Sequence, residues 1–527
     1  MLTVAIFEAV QQEAVEEKVE EQSSPWTSGP AIVLYLAAFK LIFQLLCASK
    51  YGFFGDELYY AAGSEHLDWG YYDHPPLVDL TMFIARHVFG DSLIGIRVLP
   101  ALFGAALTWI VGTTARELGG GRFAQALAAI AVIATPIYMT FHHWLHMNAI
   151  EPLIWAGCTY LAIKSVKRND PRYWIWIGAL WGLGLENKYS TALYAAAVVC
   201  GLLLTPARKF LARREFWIGA LVGGLIFLPN LIWLIRHNFP FLEWQRGIAA
   251  RGDNLKPGPI DFVSQQLILT GLTCIVWLAA MGFFFFRKSG KPYRFVGWAF
   301  LIVFGFFAVT GAKVYYPAPL YATVFSGGAV LIEELTAGGW RRFRPAVVVL
   351  IALAAGILAP CFVPILPIDR VLAYQRALGL PLPICMERYM LTSELPSWFV
   401  METGWDKLVA AIASVYNGLP PEERSRTGIL ASNYAPAGAI DLLGPKYGLP
   451  KAISTHMAYH MWGPRNYSGQ TLILVENGTI PPLACTEFLF GARVDNPYMY
   501  AILNGPVEVC RGPRFDLQKV WPKLPYY

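Results

Sequence analysis

Eleven apolar runs recur along this 527-residue chain, at about 30–49, 93–115, 123–140, 149–165, 173–185, 190–205, 216–235, 262–286, 295–312, 315–334 and 345–364. Several approach the roughly 20 residues a helix needs to cross a bilayer core. Lipid offers backbone amides no hydrogen-bond partner, so such runs must be helical and must pack on one another. The 173–185 run is short, and with 190–205 it reads as a tight hairpin at a locally thin site. Composition removes the alternative of several soluble domains. Charged residues make up 15% of the chain and hydrophobic ones 56%, with mean hydropathy +0.43, whereas soluble proteins carry about 25% charge. The expected fold is mainly α, a polytopic membrane helix bundle of about eleven spans.

The scarce charge orients the bundle. Residues 1–29 hold six Glu and one Lys, residues 30–364 hold 27 Lys and Arg against 17 acids, and residues 365–527 hold 14 against 13. The basic excess lies among the apolar runs, where it reports topology and not nucleic-acid binding. Connections at 116–122, 164–172, 206–214, 287–294 and 341–344 collect 17 Lys and Arg, which assigns them to the cytoplasm. With an odd number of spans, the acidic tail 1–29 is then cytoplasmic and residues 365–527 lie outside. The segment AVQQEAVEEKVEEQSSP lacks a basic region followed by an apolar run, so it is expected to be a tail or surface helix and not a cleaved leader.

Two outer segments are too long to be connectors. Residues 51–92 of the 30–364 membrane domain carry seven acids and only Arg86 as a base, interleaved with aromatics such as Phe53, Tyr59, Tyr60 and Trp69. That mixture predicts one or two helices lying in the interface. Residues 365–527 are rich in Pro and Gly and contain the strand-like stretches TGILAS and TLILVEN, which predict a small extracytoplasmic α/β domain. Of the cysteines, Cys47, Cys158, Cys200 and Cys274 fall in apolar runs. Cys361, Cys385, Cys485 and Cys510 allow three pairings in an oxidising compartment, with Cys485–Cys510 favoured. Asn466-Tyr-Ser and Asn477-Gly-Thr match glycosylation acceptors.

Four constellations could carry chemistry. In GDELYY, the adjacent acids Asp56 and Glu57 must point in different directions, so they can hold separate roles as base and as support; the alternative is a solvated loop. In YYDHPPLVDL, Pro75 and Pro76 force Asp73 and His74 into an extended turn, where an imidazole serves a phosphate, a metal, a sugar hydroxyl or simply the fold. In FHHWLHMNAIEPLIW, His142, His143 and His146 stand beside Asn148 and Glu151. Their spacing lacks the helical zinc signature, so interfacial histidines are the favoured reading, whereas Glu151 at the start of a span needs a partner or a task. Finally, GLENKYS and GAKVYYPAPLY place Lys188 and Lys313 at outer loops next to Tyr189, Tyr315 and Tyr316, as a clamp for an anionic headgroup or as snorkelling lysines.

As a set, the Asp-Glu pair after the first span, the His-Pro-Pro-Leu turn, the Asn-Ala-x-Glu-Pro-Leu helix entry, the Asn-Lys-Tyr-Ser segment and the Lys-x-Tyr-Tyr-x-x-Pro motif resemble the bacterial family 39 glycosyltransferases. These are relatives of the dolichyl-phosphate-mannose protein mannosyltransferases and of the aminoarabinose transferase of lipid A. The resemblance covers about residues 30–335, and SNYAPAGAIDLLGPKYGLPKAIS and MWGPRNY resemble the C-terminal region of one branch. It implies a GT-C fold in the bacterial inner membrane, whose first outer loop builds a site facing outward. There a sugar passes from a polyprenyl-phosphate donor to a protein, lipid or glycan acceptor. It further implies Asp56 as catalytic acid or base, Glu57 as its supporting partner, and Lys313 and Tyr316 as holders of the donor phosphate. From the constellations read above, Asp73, His74, Asn148, Lys188 and Tyr315 complete the candidate substrate-binding set. The aminoarabinose transferase has Lys where this chain has His74, so that phosphate contact is expected to be weaker or pH-dependent. Where relatives carry a second Asp, this chain offers Asn148 and Glu151, with Glu151 favoured as catalytic. No cofactor is required, although a divalent ion is compatible with the chemistry. The competing classes are a transporter or lipid flippase, for which inverted repeats are expected and none is visible, and a receptor that leaves the acidic loop unexplained.

Overall fold

A computed structural model of the protein describes residues 25–252, 255–379, 395–475, 480–498 and 504–524; residues 1–24, Cys385 and Asn477 lie outside them. Each of the eleven apolar runs contains a helix. In chain order the helices are α1 (Gly29–Cys47), α2 (Gly55–Gly63), α3 (Leu77–Phe89), α4 (Leu93–Glu117), α5 (Arg122–Ala134), α6 (Pro136–Phe141), α7 (Met147–Arg168), α8 (Tyr173–Asn187) and α9 (Ser190–Leu203). There follow α10 (Arg214–Arg236), α11 (Pro240–Arg251), α12 (Pro259–Thr270), α13 (Cys274–Phe286), α14 (Arg294–Thr310), α15 (Ala318–Leu335), α16 (Arg344–Phe362) and α17 (Ile368–Leu378). The 123–140 run is split because Pro136 forces Thr135 into an extended conformation, ending α5 and starting α6.

Among the described residues, six helical segments are long and apolar enough to cross a membrane alone: Gly29–Cys47, Leu93–Glu117, Arg214–Arg236, Pro259–Phe286, Lys291–Thr310 and Gly338–Phe362. The chain is therefore a multi-pass membrane protein. The 190–205 run belongs to a pair, Ser190–Leu203 with Pro206–Ala212, bent by 116°. The remaining bundle helices are shorter or more polar, and for α15 the reason is its surroundings: every residue from Ala318 to Ile332 is buried by neighbouring helices. Helices α8 and α10 approach through matched glycines. A Cβ on Gly178 would lie 1.9 Å from the Gly219 carbonyl oxygen, and one on Gly219 would lie 2.1 Å from that of Trp174, so the small-xxx-small pattern of Gly178 and Gly182 facing Gly219 and Gly223 sets this crossing.

Residues 51–92 form two short helices. Most of α2 is buried, whereas α3 exposes Leu80, Ile84 and Val88 along one stripe, the pattern of a helix that lays an apolar face against lipid. After α17 the chain forms α18 (Trp405–Gly418) and α19 (Tyr434–Leu443) with a sheet of β1 (Thr427–Ala431), β2 (Ile453–Ser454), β3 (Thr471–Val475), β4 (Cys485–Arg493) and β5 (Pro506–Pro513). The strand order is β2-β1-β3-β5-β4, with β1 parallel to β2 and β3, and β5 antiparallel to β3 and β4. Strands β1 and β3 are TGILA and TLILV, buried along their whole length, as central strands covered on both faces must be. Cys485 and Cys510 form a disulfide between β4 and β5.

Candidate active site

A cavity of about 610 Å³ opens between the 51–92 loop, the entry to α7, the start of α9, helix α11, the 313–316 turn and the C-terminal region. Its lining is mixed. Part is apolar and aromatic, with Leu193, Phe241, Trp244, Ile248, Phe306 and Phe307. Part is polar, with Asp56, Asp73, His146, Asn148, Lys188, Lys313, Tyr434 and His456, and with Gln245 and Arg251 of α11.

Asp56 stands in the first turn of α2, where the helix dipole favours an anion. Its Oδ1 accepts from Tyr434 Oη at 2.7 Å and its Oδ2 lies 2.9 Å from His146 Nε2. Burial pushes the carboxyl up, but the hydrogen bond and charge of His146, the Tyr434 hydrogen bond and the Lys313 charge outweigh burial and hold it below the ordinary carboxylate value. Asp56 is thus ionised at neutral pH and faces the cavity.

Glu57 points the other way and is fully buried. It accepts the Phe54 N–H at 2.8 Å, which caps α2, and the Leu145 N–H at 3.0 Å. Arg97 of α4 donates to both its oxygens, Nε to Oε1 at 3.1 Å and Nη2 to Oε2 at 2.8 Å. Arg97 also donates to the Ala48 and Gly52 carbonyls, to His143 Nε2 at 2.9 Å, and to Glu402 Oε2 at 3.4 Å. Trp144 Nε1 holds the other Glu402 oxygen at 2.9 Å. Burial raises the Glu402 carboxyl to about 7, against the pull of Arg97. Glu57 therefore does not line the cavity; it anchors the helix that carries Asp56.

His74 also lies away from the cavity. Its Nδ1 is 3.1 Å from Asp73 Oδ1 and its Nε2 is 2.7 Å from Asp79 Oδ2. Burial opposes its protonation, but the two carboxylates win and lift its pKa to about 10. The phosphate contact expected of His74 is thus replaced by an internal one: the imidazolium neutralises Asp73, which does line the cavity and accepts from Tyr59 Oη at 2.7 Å.

Lys188 lines the cavity. Its Nζ donates to Asn148 Oδ1 at 2.8 Å and to Glu151 Oε2 at 3.1 Å, and lies 4.8 Å from the Tyr316 ring centroid and 5.6 Å from that of Tyr315. Glu151, expected as a second catalytic acid, is buried behind Lys188 and also accepts from Ser190 Oγ; its partners make it the lysine's anchor. Lys313, Tyr315 and Tyr316 line the same wall. The three histidines do not converge. The His142 Nδ1–H donates to the Tyr138 carbonyl at 2.7 Å, His143 joins the Arg97 cluster, and His146 meets Asp56. The first two are buried and not interfacial, and among the described residues no group of three or more His, Cys, Asp or Glu side chains is placed to hold a metal ion.

The sequence reading missed the contribution of residues far along the chain. Met401, Trp405, Asn433, Tyr434, His456 and Met457 all line the cavity. The one available signal was the SNYAPAGAIDLL stretch: Asn433 accepts the Ala435 N–H and caps α19, which puts Tyr434 at its first position. Helix α19 rests against α2 at Gly438, where a Cβ would lie 2.5 Å from the Leu58 carbonyl oxygen.

Comparison with solved structures matches this arrangement to ArnT from Cupriavidus metallidurans bound to undecaprenyl phosphate. The TM-score is 0.59 at 15% identity, over 90% of this chain and 97% of that one. The chain shares the fold of that structure. A model of the family described as dolichyl-phosphate-mannose-protein mannosyltransferase matches residues 73–233 of this chain. The lipid A galacturonosyltransferase RgtD of Rhizobium johnstonii is 27% identical over 255 residues, 46% of this chain and 51% of that protein. The undecaprenyl phosphate-alpha-4-amino-4-deoxy-L-arabinose arabinosyl transferase 1 of Pseudomonas fluorescens is 22% identical over 259 residues, 46% of this chain and 45% of that protein. The chain spans about half the length of these curated relatives.

Proposed function

We propose that the protein is an integral membrane glycosyltransferase that moves a sugar from a polyprenyl-phosphate donor to a hydroxyl of a lipid or glycan acceptor outside the cytoplasm. The observation that carries this reading is the division of this cavity's lining between polar and apolar residues: an ionised carboxylate, Asp56, shares it with the lysines Lys188 and Lys313 and with apolar and aromatic side chains. A polyprenyl phosphate has the same division, an apolar tail joined to an anionic phosphate that bears the sugar. Its tail fits against Trp244, Ile248 and Phe306, and its phosphate against Lys188, Lys313 and Tyr316. Asp56 takes the proton of the acceptor hydroxyl as that oxygen bonds to the anomeric carbon. The bond from that carbon to the phosphate oxygen breaks, and the phosphate leaves with the electron pair, its charge met by the lysines. The names of the relatives favour a lipid A or lipopolysaccharide acceptor and a uronic acid or aminoarabinose as the sugar. The 17 bases of the alternate connections and the Cys485–Cys510 disulfide favour a cytoplasmic N-terminus and an oxidising exterior around the C-terminal region.

The test is transfer by the purified full-length protein in lipid nanodiscs. It is supplied with undecaprenyl phosphate charged with galacturonic acid or 4-amino-4-deoxy-L-arabinose and with lipid A, and product is read by mass spectrometry. Sugar-modified lipid A that disappears in Asp56→Asn supports the reading. Equal transfer by Asp56→Asn overturns it.

A further inference from the structure

Both oxygens of Asp56 are held, and by groups that reach it from two other parts of the chain. Tyr434 Oη donates to Oδ1 at 2.7 Å from the first position of α19, 378 residues away in sequence. His146 faces Oδ2 at 2.9 Å from the N-cap of α7. The imidazole has its tautomer set locally. Its Nδ1 accepts the Asn148 N–H at 3.0 Å as part of capping α7, so the neutral ring carries its proton on Nε2 and donates it to Asp56. Each carboxylate oxygen has two lone-pair sites. With one site on each oxygen occupied, the remaining ones point to where an acceptor hydroxyl can approach, and rotation about the Asp56 side chain is blocked from both sides.

We propose that Tyr434 and His146 are positioning residues that fix Asp56 as the base, and that the site is therefore completed only by the C-terminal region. This rests on the glycosyltransferase reading. His146 already holds a proton on the nitrogen facing Asp56, so it orients the carboxylate and does not relay the proton taken from the acceptor. Tyr434 is itself located by ring contacts, 4.7 Å between centroids to Tyr59 and 5.2 Å to His456, and by the close passage of α19 over α2 at Gly438. The charged and titratable groups facing Asp56 are His146 before α7, Tyr434 on α19, Lys313 before α15 and Tyr60 on its own helix.

A readout that needs no substrate tests this. In the full-length protein in nanodiscs, a water-soluble carbodiimide with glycine ethyl ester labels protonated carboxyls, and peptide mass spectrometry reports Asp56 labelling against pH. Tyr434→Phe removes a donor to the anion, so the labelling midpoint should move to higher pH, by roughly 0.5–1 pH unit for one neutral hydrogen bond. His146→Ala should move it the same way and His146→Gln, which keeps an N–H donor, should move it less. The exposed Tyr447→Phe should leave it unchanged. Midpoints that coincide for wild type, Tyr434→Phe and His146→Ala overturn the inference, whether or not Asp56→Asn is inactive. If Asp56→Asn transfers sugar normally while the midpoints do shift, the glycosyltransferase reading fails and the hydrogen-bonded arrangement stands. A Tyr434→Phe protein that does not fold leaves the His146 pair to decide.

Discussion

Asp56 and Glu57 are neighbours in the chain but occupy two different regions of the molecule. Asp56 sits at an open cavity, held by His146 and Tyr434, which together with the Lys313 charge lower its pKa against the effect of burial. Glu57 sits in a closed cluster with Arg97, His143, Trp144 and Glu402, all buried. Successive side chains at the start of a helix diverge by about 100°, so one turn can present a reactive carboxylate on one side and a structural one on the other. The lesson extends to the other paired groups. His74 and Glu151 do not line the cavity; each pairs with a residue that does, Asp73 in one case and Lys188 in the other.

The sharpest way to break the comparison is to neutralise each acid alone. Asp56→Asn should lower transfer by about 10²–10⁴-fold, the usual contribution of a general base, with the thermal midpoint in detergent hardly changed. Arg97→Ala should do the reverse. It leaves Glu57 and Glu402 buried without their cation, at a cost of about 3–5 kcal/mol, visible as a lowered midpoint and a poor yield of folded protein. If Asp56→Asn unfolds the chain and Arg97→Ala does not, the two regions have been assigned the wrong way round. Gly438→Ala probes the contact between them. Its Cβ would meet the Leu58 carbonyl oxygen, so α19 must retreat at an overpacking cost of about 1–3 kcal/mol, and transfer should fall while Asp56 remains in place.

A further effect concerns pH. The His74 pKa of about 10 in the fold exceeds its ordinary 6.5, so folding takes up a proton in that interval. Its stabilisation is complete below about 6.5 and is lost as pH rises through about 10. The midpoint of the wild type should therefore decline from pH 7 to 10, and His74→Gln should be less stable at pH 7 but decline less steeply. Parallel curves for the two proteins would show that His74 is not the charged group between Asp73 and Asp79.

Much of the bundle was legible because lipid leaves a chain few options. Every apolar run holds a helix, and the TGILAS and TLILVEN stretches contain β1 and β3, since continuous apolar runs flanked by turn residues suit buried strands. Asp56, Asp73, Asn148, Lys188, Lys313, Tyr315 and Tyr316 were all singled out and all line one cavity. Breaks within runs were less legible, as at Pro136 and in the bent pair after α9. So were the assignments of Glu57, His74 and Glu151, because a charged residue next to a site reads the same from sequence whether it faces substrate or a buried counter-ion.

By itself, then, the sequence determined that this chain is a helix bundle in a membrane and which few outer charges it could bring to chemistry, because burying apolar surface and excluding charge from lipid are local demands that each segment meets alone. Only the tertiary structure decided how those charges pair. Glu402 meets Arg97 across 305 residues and Tyr434 meets Asp56 across 378. Hydrogen bonds and ion pairs act over a few ångströms in space and leave no periodic trace along the chain, so the division between the carboxylate at the cavity and the buried one is set by which helices pack together.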